Sequence, residues 1–183
     1  MQGNEPADIN RIAYDAPLSF QPPSQQWCDL QAKRDIGVWL DMSAVPASDL
    51  SGKWVLITGS NNGIGREAAL TFARWGANLV LGCRDPPPTE THPASVVEEC
   101  KTAAKKAGHL SDVEWWQLNM ADLTSVEAFA RKWLDTGRPL DILCNNAGMG
   151  SSPGGDKVFK TKDGFEIIHQ VRDISTRTIA WAG

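Results

Sequence analysis

Lys53-Trp54-Val55-Leu56-Ile57-Thr58-Gly59-Ser60-Asn61-Asn62-Gly63-Ile64-Gly65 is the stretch that decides the fold. Val55, Leu56 and Ile57 form a short apolar run, the pattern of a strand buried on both faces. Gly59, Gly63 and Gly65 follow at once, and Arg66 to Trp75 then spaces its apolar residues like one face of a helix. Strand, glycine turn and helix are the context that a dinucleotide-phosphate turn requires. A turn without Cβ atoms lets its backbone approach a pyrophosphate, and the helix start behind it offers free N–H groups and the positive end of a dipole. A plain structural turn is the competing reading, and the matching flanks on both sides favour the phosphate role.

Working outward, the same alternation repeats. Asn78-Leu79-Val80-Leu81-Gly82 is a second apolar run, ending at Cys83-Arg84-Asp85, and Pro86-Pro87-Pro88 stops any regular element. Ala94 to Ala107 is helical in composition and Gly108 fits its end. Val113 to Leu118 predicts a third strand, with Trp115 and Trp116 alternating faces as packing residues. Asp122 reads as the N-cap of a third helix over Leu123 to Leu134. Leu140 to Cys144 predicts a fourth strand, followed by Asn145-Asn146-Ala147-Gly148, a Gly- and Ser-rich loop from Met149, and a helix beginning at Asp163. Four strands alternating with three helices make an α/β, Rossmann-type doubly wound parallel sheet, here about four strands long and expected in the order 3-2-1-4. Ligand belongs at the carboxyl ends of the strands, where Gly59, Arg84, Asn119 and Asn146 gather.

Before the first strand, residues 1–47 form an extension. Its first part is polar and proline-bearing and is expected to be disordered, and its second part carries Trp27, Val38, Trp39 and Leu40. The chain has 183 residues, 42% of them hydrophobic and 22% charged, with a net charge of −4. That balance fits one globular domain and speaks against nucleic acid as partner. Cys28, Cys83, Cys100 and Cys144 form no CxxC pair, and the first residues are polar and acidic. Reduced thiols without an export signal point to a cytoplasmic protein. No apolar run reaches the roughly 18 residues of a membrane span. His92, His109 and His169 sit at no metal-binding spacing and read as ordinary surface residues.

Thr58-Gly59, Gly63-Ile64-Gly65 and Asn145-Asn146-Ala147-Gly148, in that order and each at a strand end, resemble the two signatures of the short-chain dehydrogenase/reductase family. The resemblance runs from about Asp49 to Gln170. Leu50-Ser51-Gly52-Lys53, Gly82-Cys83-Arg84-Asp85 and Thr161 to Glu166 are similar to the retinol-dehydrogenase-like branch. The resemblance implies an NADP(H)-binding Rossmann half-domain over residues 48–170 of an oxidoreductase acting on an alcohol or carbonyl. Gly59, Gly63 and Gly65 would form the turn, and Ser60, Asn61 and Ile64 would line the phosphates and the nicotinamide side. Asn146, Ala147 and Gly148 would hold the fourth strand beside the ribose. The family's adenine-recognising Asp-Leu pair is Asn119-Met120 here, and an Asn oxygen still accepts from an amino group. The second strand ends on neutral Cys83 and cationic Arg84, which pairs with a 2′-phosphate, so NADP is expected over NAD. Asp85 is a potential competitor for Arg84.

The family's catalytic groups, a Ser on the fifth strand and a Tyr-x-x-x-Lys on the next helix, have no counterpart in these residues. The sole tyrosine is Tyr14, with Leu18 four places on, and Arg172 stands where the family places a helix Asn. No catalytic residue is therefore assigned, and no turnover is expected of the chain as written. The alternative is a non-catalytic nucleotide-binding fragment or a mis-spliced product. Residues 171–183 read as an off-pattern tail, and Val171-Arg172 can be encoded by GTACGT, the form of an intron donor. An uncovered fourth strand would make self-association through that edge the expected protein contact.

Overall fold

The computed structural model describes residues 47–150 and 158–182. The expectations for residues 1–46, Tyr14 and Cys28 among them, lie outside these.

Four strands pair in parallel in the order β3-β2-β1-β4, as expected from the sequence. They are β1 (Trp54–Thr58), β2 (Asn78–Cys83), β3 (Val113–Gln117) and β4 (Ile142–Cys144). The register sets Val55 opposite both Leu79 and Ile142, and Leu79 opposite Val113. The helices between them are α1 (Gly63–Arg74), α2 (Pro93–Lys106) and α3 (Leu123–Asp135). β4 is two residues shorter at its start than the apolar pattern predicts. Asp141 donates its own N–H to the Trp54 carbonyl at 3.1 Å, but its carboxylate, not its carbonyl, takes the Trp54 N–H at 2.9 Å and also the Lys53 ammonium at 2.8 Å, so this residue anchors the strand entry. That pairing holds the Asp141 carboxyl below its ordinary value, Lys53 being the main cause.

Side chains alternate across the sheet and build two cores. Val55, Ile57, Leu79 and Leu81 face Ala69, Leu70 and Ala73 of α1 and Val96, Val97, Cys100 and Ala104 of α2. Leu56, Val80 and Trp116 face the other way, onto Val126, Phe129 and Trp133 of α3. The second core is aromatic: Trp116 meets Phe129 and Trp133 at centroid distances of 5.8 and 5.9 Å, and Trp54 meets Trp133 at 6.2 Å. Trp115 packs on the first core, so both tryptophans of β3 serve packing. Burial inside the first core pushes the Cys100 thiol up to about 12.

The last helix begins later than the sequence pattern predicts. Residues 159–167 first make a small antiparallel turn, with Lys160 bridging Glu166, Thr161 N–H bonding Phe165 O and Ile167 N–H bonding Phe159 O. Helix α4 (Ile167–His169) then starts under a Glu166 cap and runs through a π-helical segment (Gln170–Ile174) into α5 (Ser175–Ala182). Residues read from sequence as an off-pattern tail thus join the core: Val171 and Ile179 are buried against the aromatic cluster. Buried Gln170 donates to Asp163 at 2.7 Å and Ser175 donates to the Met120 carbonyl at 2.6 Å, so this helix is pinned to the chain just past β3.

Candidate functional site

The site grows from the carboxyl ends of β1 and β4. Thr58 is fully buried, and its hydroxyl accepts from Asn146 N–H at 3.1 Å and Ala147 N–H at 3.0 Å. The Asn146 side-chain amide donates back to the carbonyls of Thr58 and Gly59, each at 3.0 Å. Two stretches 87 to 89 residues apart are therefore locked together by four hydrogen bonds. Glycine is required on the inner side of this lock. Gly59 has φ +65, and a Cβ there would come within 2.8 Å of the Ala147 Cα. A Cβ at Gly65 would overlap the Asn146 amide and the Gly59 carbonyl.

On the outer side the same turn is open. A Cβ at Gly63 would meet nothing within 4 Å, and Ile64 is 84% exposed. Asn62, the N-cap of α1, makes no side-chain cap bond. Among the described residues no side chain bonds the N–H groups of Gly63, Ile64 or Gly65. By contrast, His92, Asp122 and Glu166 each cap the helix that follows them. The first backbone donors of α1 are left with no partner among the described residues, at a helix start that would admit an anion. A phosphate-bearing dinucleotide fits these residues by that measure.

The remaining site residues predicted from the sequence fall around this opening in different ways. Ser60 is buried, its hydroxyl turned inward to Ile57 O and Cys83 Sγ at 3.4 Å each, so its backbone is what the turn presents. Burial holds the Cys83 thiol above its ordinary value. Asn61 is also buried and donates to the Thr91 carbonyl at 3.1 Å. Arg84 leaves the end of β2 beside the turn, where Gly59 N–H bonds Gly82 O at 2.8 Å. Its partner is Glu90, at 2.5 Å, and not the neighbouring Asp85. Asn119 lies past β3, with its side-chain oxygen accepting from Ala121 N–H at 3.0 Å, and Met120 is buried behind it.

At the far end, Asn145 to Gly150 and Arg172 line an open cavity of about 480 Å³. Arg172 reaches the strand end, its Cγ lying 4.0 Å from where a Gly148 Cβ would stand. It has no ion-pair partner among the described residues. A larger groove of about 640 Å³ lies between the outer faces of α1 and α2, away from every one of these groups. Glu90, Thr91 and Arg172 are the site neighbours that sequence reading did not assign. Arg172 alone had a signal, as the residue standing in an asparagine position.

Comparison with known proteins agrees with this geometry. The sequence profile of short chain dehydrogenases matches residues 53–177. Human retinol dehydrogenase 14 is 37% identical over 123 residues, covering 64% of this chain and 35% of that protein. The WW domain-containing oxidoreductase of Gallus gallus is 36% identical over 155 residues, covering 84% of this chain and 33% of that protein. Among solved structures, a short-chain dehydrogenase from Sphingobium yanoikuyae in complex with NADPH superposes with a TM-score of 0.54 at 30% identity, covering 71% of this chain and 46% of that one. The chain thus spans about a third of the length of these curated relatives.

Proposed function

Since the chain belongs to the short chain dehydrogenase family, in its retinol-dehydrogenase-like branch, we propose that residues 48–170 bind NADP(H) as the cofactor half of an oxidoreductase acting on an alcohol or carbonyl. The observation that carries this reading is the open, uncapped start of α1, set against a glycine turn locked to Asn146 and Ala147. The backbone N–H groups from Gly63 to Gly65 would take the pyrophosphate, and Ile64 would cover its nicotinamide side. Asn146 to Gly148 would border the nicotinamide ribose, and Asn119 would meet the adenine. Arg84 would pair with the 2′-phosphate, which selects NADP over NAD. The bound cofactor would supply hydride transfer to or from the substrate carbon.

These 183 residues alone are proposed to bind without turnover. General acid–base help of the kind a lowered-pKa tyrosine gives is worth about 10²–10⁴-fold, and no Tyr-x-x-x-Lys exists among them. Arg172, at the family's helix Asn position, cannot relay a proton as an amide-ordered water chain does, because its guanidinium stays charged. The isolated cysteines support a cytoplasmic setting, and no described helix is long and apolar enough to cross a membrane. Self-association through the outer edge of β4, which pairs with no further strand among the described residues, is the protein contact that the strand order supports.

Titration of the purified chain with NADPH and NADH, read by tryptophan fluorescence, tests the cofactor claim. NADPH is expected to bind more tightly, and Arg84→Ala should weaken it by about 10-fold or more while sparing NADH. Superimposable titrations of the two cofactors would refute the NADP assignment. Steady oxidation of NADPH with any member of a carbonyl panel would refute the claim of no turnover.

A further inference from the structure

The guanidinium expected to receive the 2′-phosphate already holds an anion of the chain itself. Glu90 Oε1 accepts from Arg84 at 2.5 Å, and Glu90 Oε2 accepts from the buried Asn61 amide at 3.3 Å. Asn61 belongs to the glycine turn and Arg84 to the end of β2, so one carboxylate spans the two walls between which the adenosine ribose would lie. The loop is shaped to bring it there. Pro86, Pro87 and Pro88 carry the chain away from β2, and Glu90 N–H bonding Pro87 O at 2.9 Å turns it back. Asn61 also fixes the next residue by donating to Thr91 O. The Glu90 side chain is only 31% exposed, against 53% for Arg84.

We infer that Glu90 is a specificity-determining residue for the adenosine end of the cofactor: a tethered carboxylate that competes with a 2′-phosphate for Arg84. This rests on the nucleotide-binding reading above and refines it. A 2′-phosphate must displace Glu90 to reach the guanidinium, and it brings like charge close to the displaced carboxylate. A 2′-hydroxyl has no such conflict, because it donates to the carboxylate in place. Glu90 therefore narrows the gap between NADP and NAD that Arg84 opens. Asp85, adjacent in sequence, plays no part in this pairing.

The experiment is a double-mutant cycle on the full chain: unmodified, Glu90→Gln, Arg84→Ala and both together. Each is titrated with adenosine 2′,5′-bisphosphate and with adenosine 5′-monophosphate, probes that differ by the 2′-phosphate alone, and folding is checked by circular dichroism. Glu90→Gln should tighten the bisphosphate about 2- to 5-fold, the scale of a partly exposed ion pair, and leave the monophosphate equal or weaker. The gain should vanish when Arg84 is also alanine. A bisphosphate-to-monophosphate ratio unmoved by Glu90→Gln, in a chain where Arg84→Ala still weakens the bisphosphate, overturns the inference and leaves the Arg84 assignment standing. A gain that persists without Arg84 overturns it too. Bisphosphate binding indifferent to Arg84→Ala removes the NADP assignment, and this inference with it. Should Glu90→Gln fail to fold, Glu90→Ala and Thr89-Glu90 transposition provide the same reading.

Discussion

At the start of α3, Asp122 accepts from the N–H groups of Thr124 and Ser125 and Asp163 accepts from that of Leu123; at the start of α1, no described side chain takes any of the equivalent donors. Both helices follow a strand of the same sheet and both have a polar N-cap residue. Asp122 bends its carboxylate back over its own helix, whereas the turn before α1 is held from behind by Asn146 and leaves its front to solvent. A helix start that stability alone had shaped would look like that of α3. The first turn of α1 forgoes that satisfaction, and the lock on its inner side keeps it in place without a cap.

Breaking the lock should have the largest effect. Gly59→Ala adds a Cβ at φ +65 against the Ala147 backbone, combining backbone strain with overpacking. A loss of about 2 to 4 kcal/mol is expected, read by urea unfolding, together with loss of NADPH binding. Unchanged stability would mean that the turn is not held by the β4 end at all.

Breaking the cap of α3 should be milder and confined to stability. Asp122→Ala is expected to lower Tm by about 2–4 °C with NADPH affinity within twofold of the original. The same residue carries a pH signature. Lys162, at 2.7 Å, is the main cause that holds the Asp122 carboxyl below its ordinary value of 3.8, with the Ser125 and Thr124 N–H groups adding to it. A carboxylate with a depressed folded-state pKa contributes its stability above the unfolded value and loses it as pH falls through the folded one. Between pH 4 and pH 2, Tm should therefore fall less steeply in Asp122→Asn than in the unmodified chain. Parallel curves would remove Asp122 from the acid response.

The smallest effect sharpens the contrast by giving α1 what α3 has. Asn62→Asp places a charge at the open start, where it can cap its own helix. A gain of about 0.3 to 1 kcal/mol is expected, with a several-fold weaker NADPH affinity because the donors and the space are then shared. Tighter NADPH binding in this variant would mean that the start of α1 is not the phosphate site.

The parts of the molecule that sequence alone made legible are those governed by local pattern. Val55 to Ile57 and Leu79 to Leu81 are apolar at every position because both faces of the sheet are covered, and Asp122 announces its helix by residue type. The two glycine-bearing stretches also marked the strand ends that the fold brings together, although not that Gly59 and Ala147 would touch. The rest depends on chain paths. Asn61 was expected on the phosphates, yet its amide serves Glu90 and Thr91, a pairing set by how three prolines route the loop. Ser60 turns inward because the buried Cys83 lies within reach of its hydroxyl. The residues after Gln170 read as off-pattern, yet the short chain dehydrogenase profile runs on to residue 177. A helical period places Val171, Ser175 and Ile179 on one buried side of the π-helical segment and the helix after it. A pattern search for an asparagine sees only that Arg172 breaks it.

The order β3-β2-β1-β4 also has a consequence for the time at which the site comes into being. β1 is the first of the four strands to be synthesised, and it finishes in the interior of the sheet with β4 on one side. Asn146 follows Thr58 by 88 residues, which at about 5–20 residues per second leaves roughly 4 to 18 s between them on the ribosome. Through that interval β1 has at least one bare edge, and the glycine turn lacks the Asn146 lock behind it. A nascent chain can form the β1-α1-β2-α2-β3 layers as soon as they emerge, but its nucleotide cradle closes only when the Asn145-Asn146-Ala147-Gly148 stretch arrives. Cofactor present during translation would meet no finished site before then, so any help it gives to folding comes at the end of the process, by holding shut a turn that is already built.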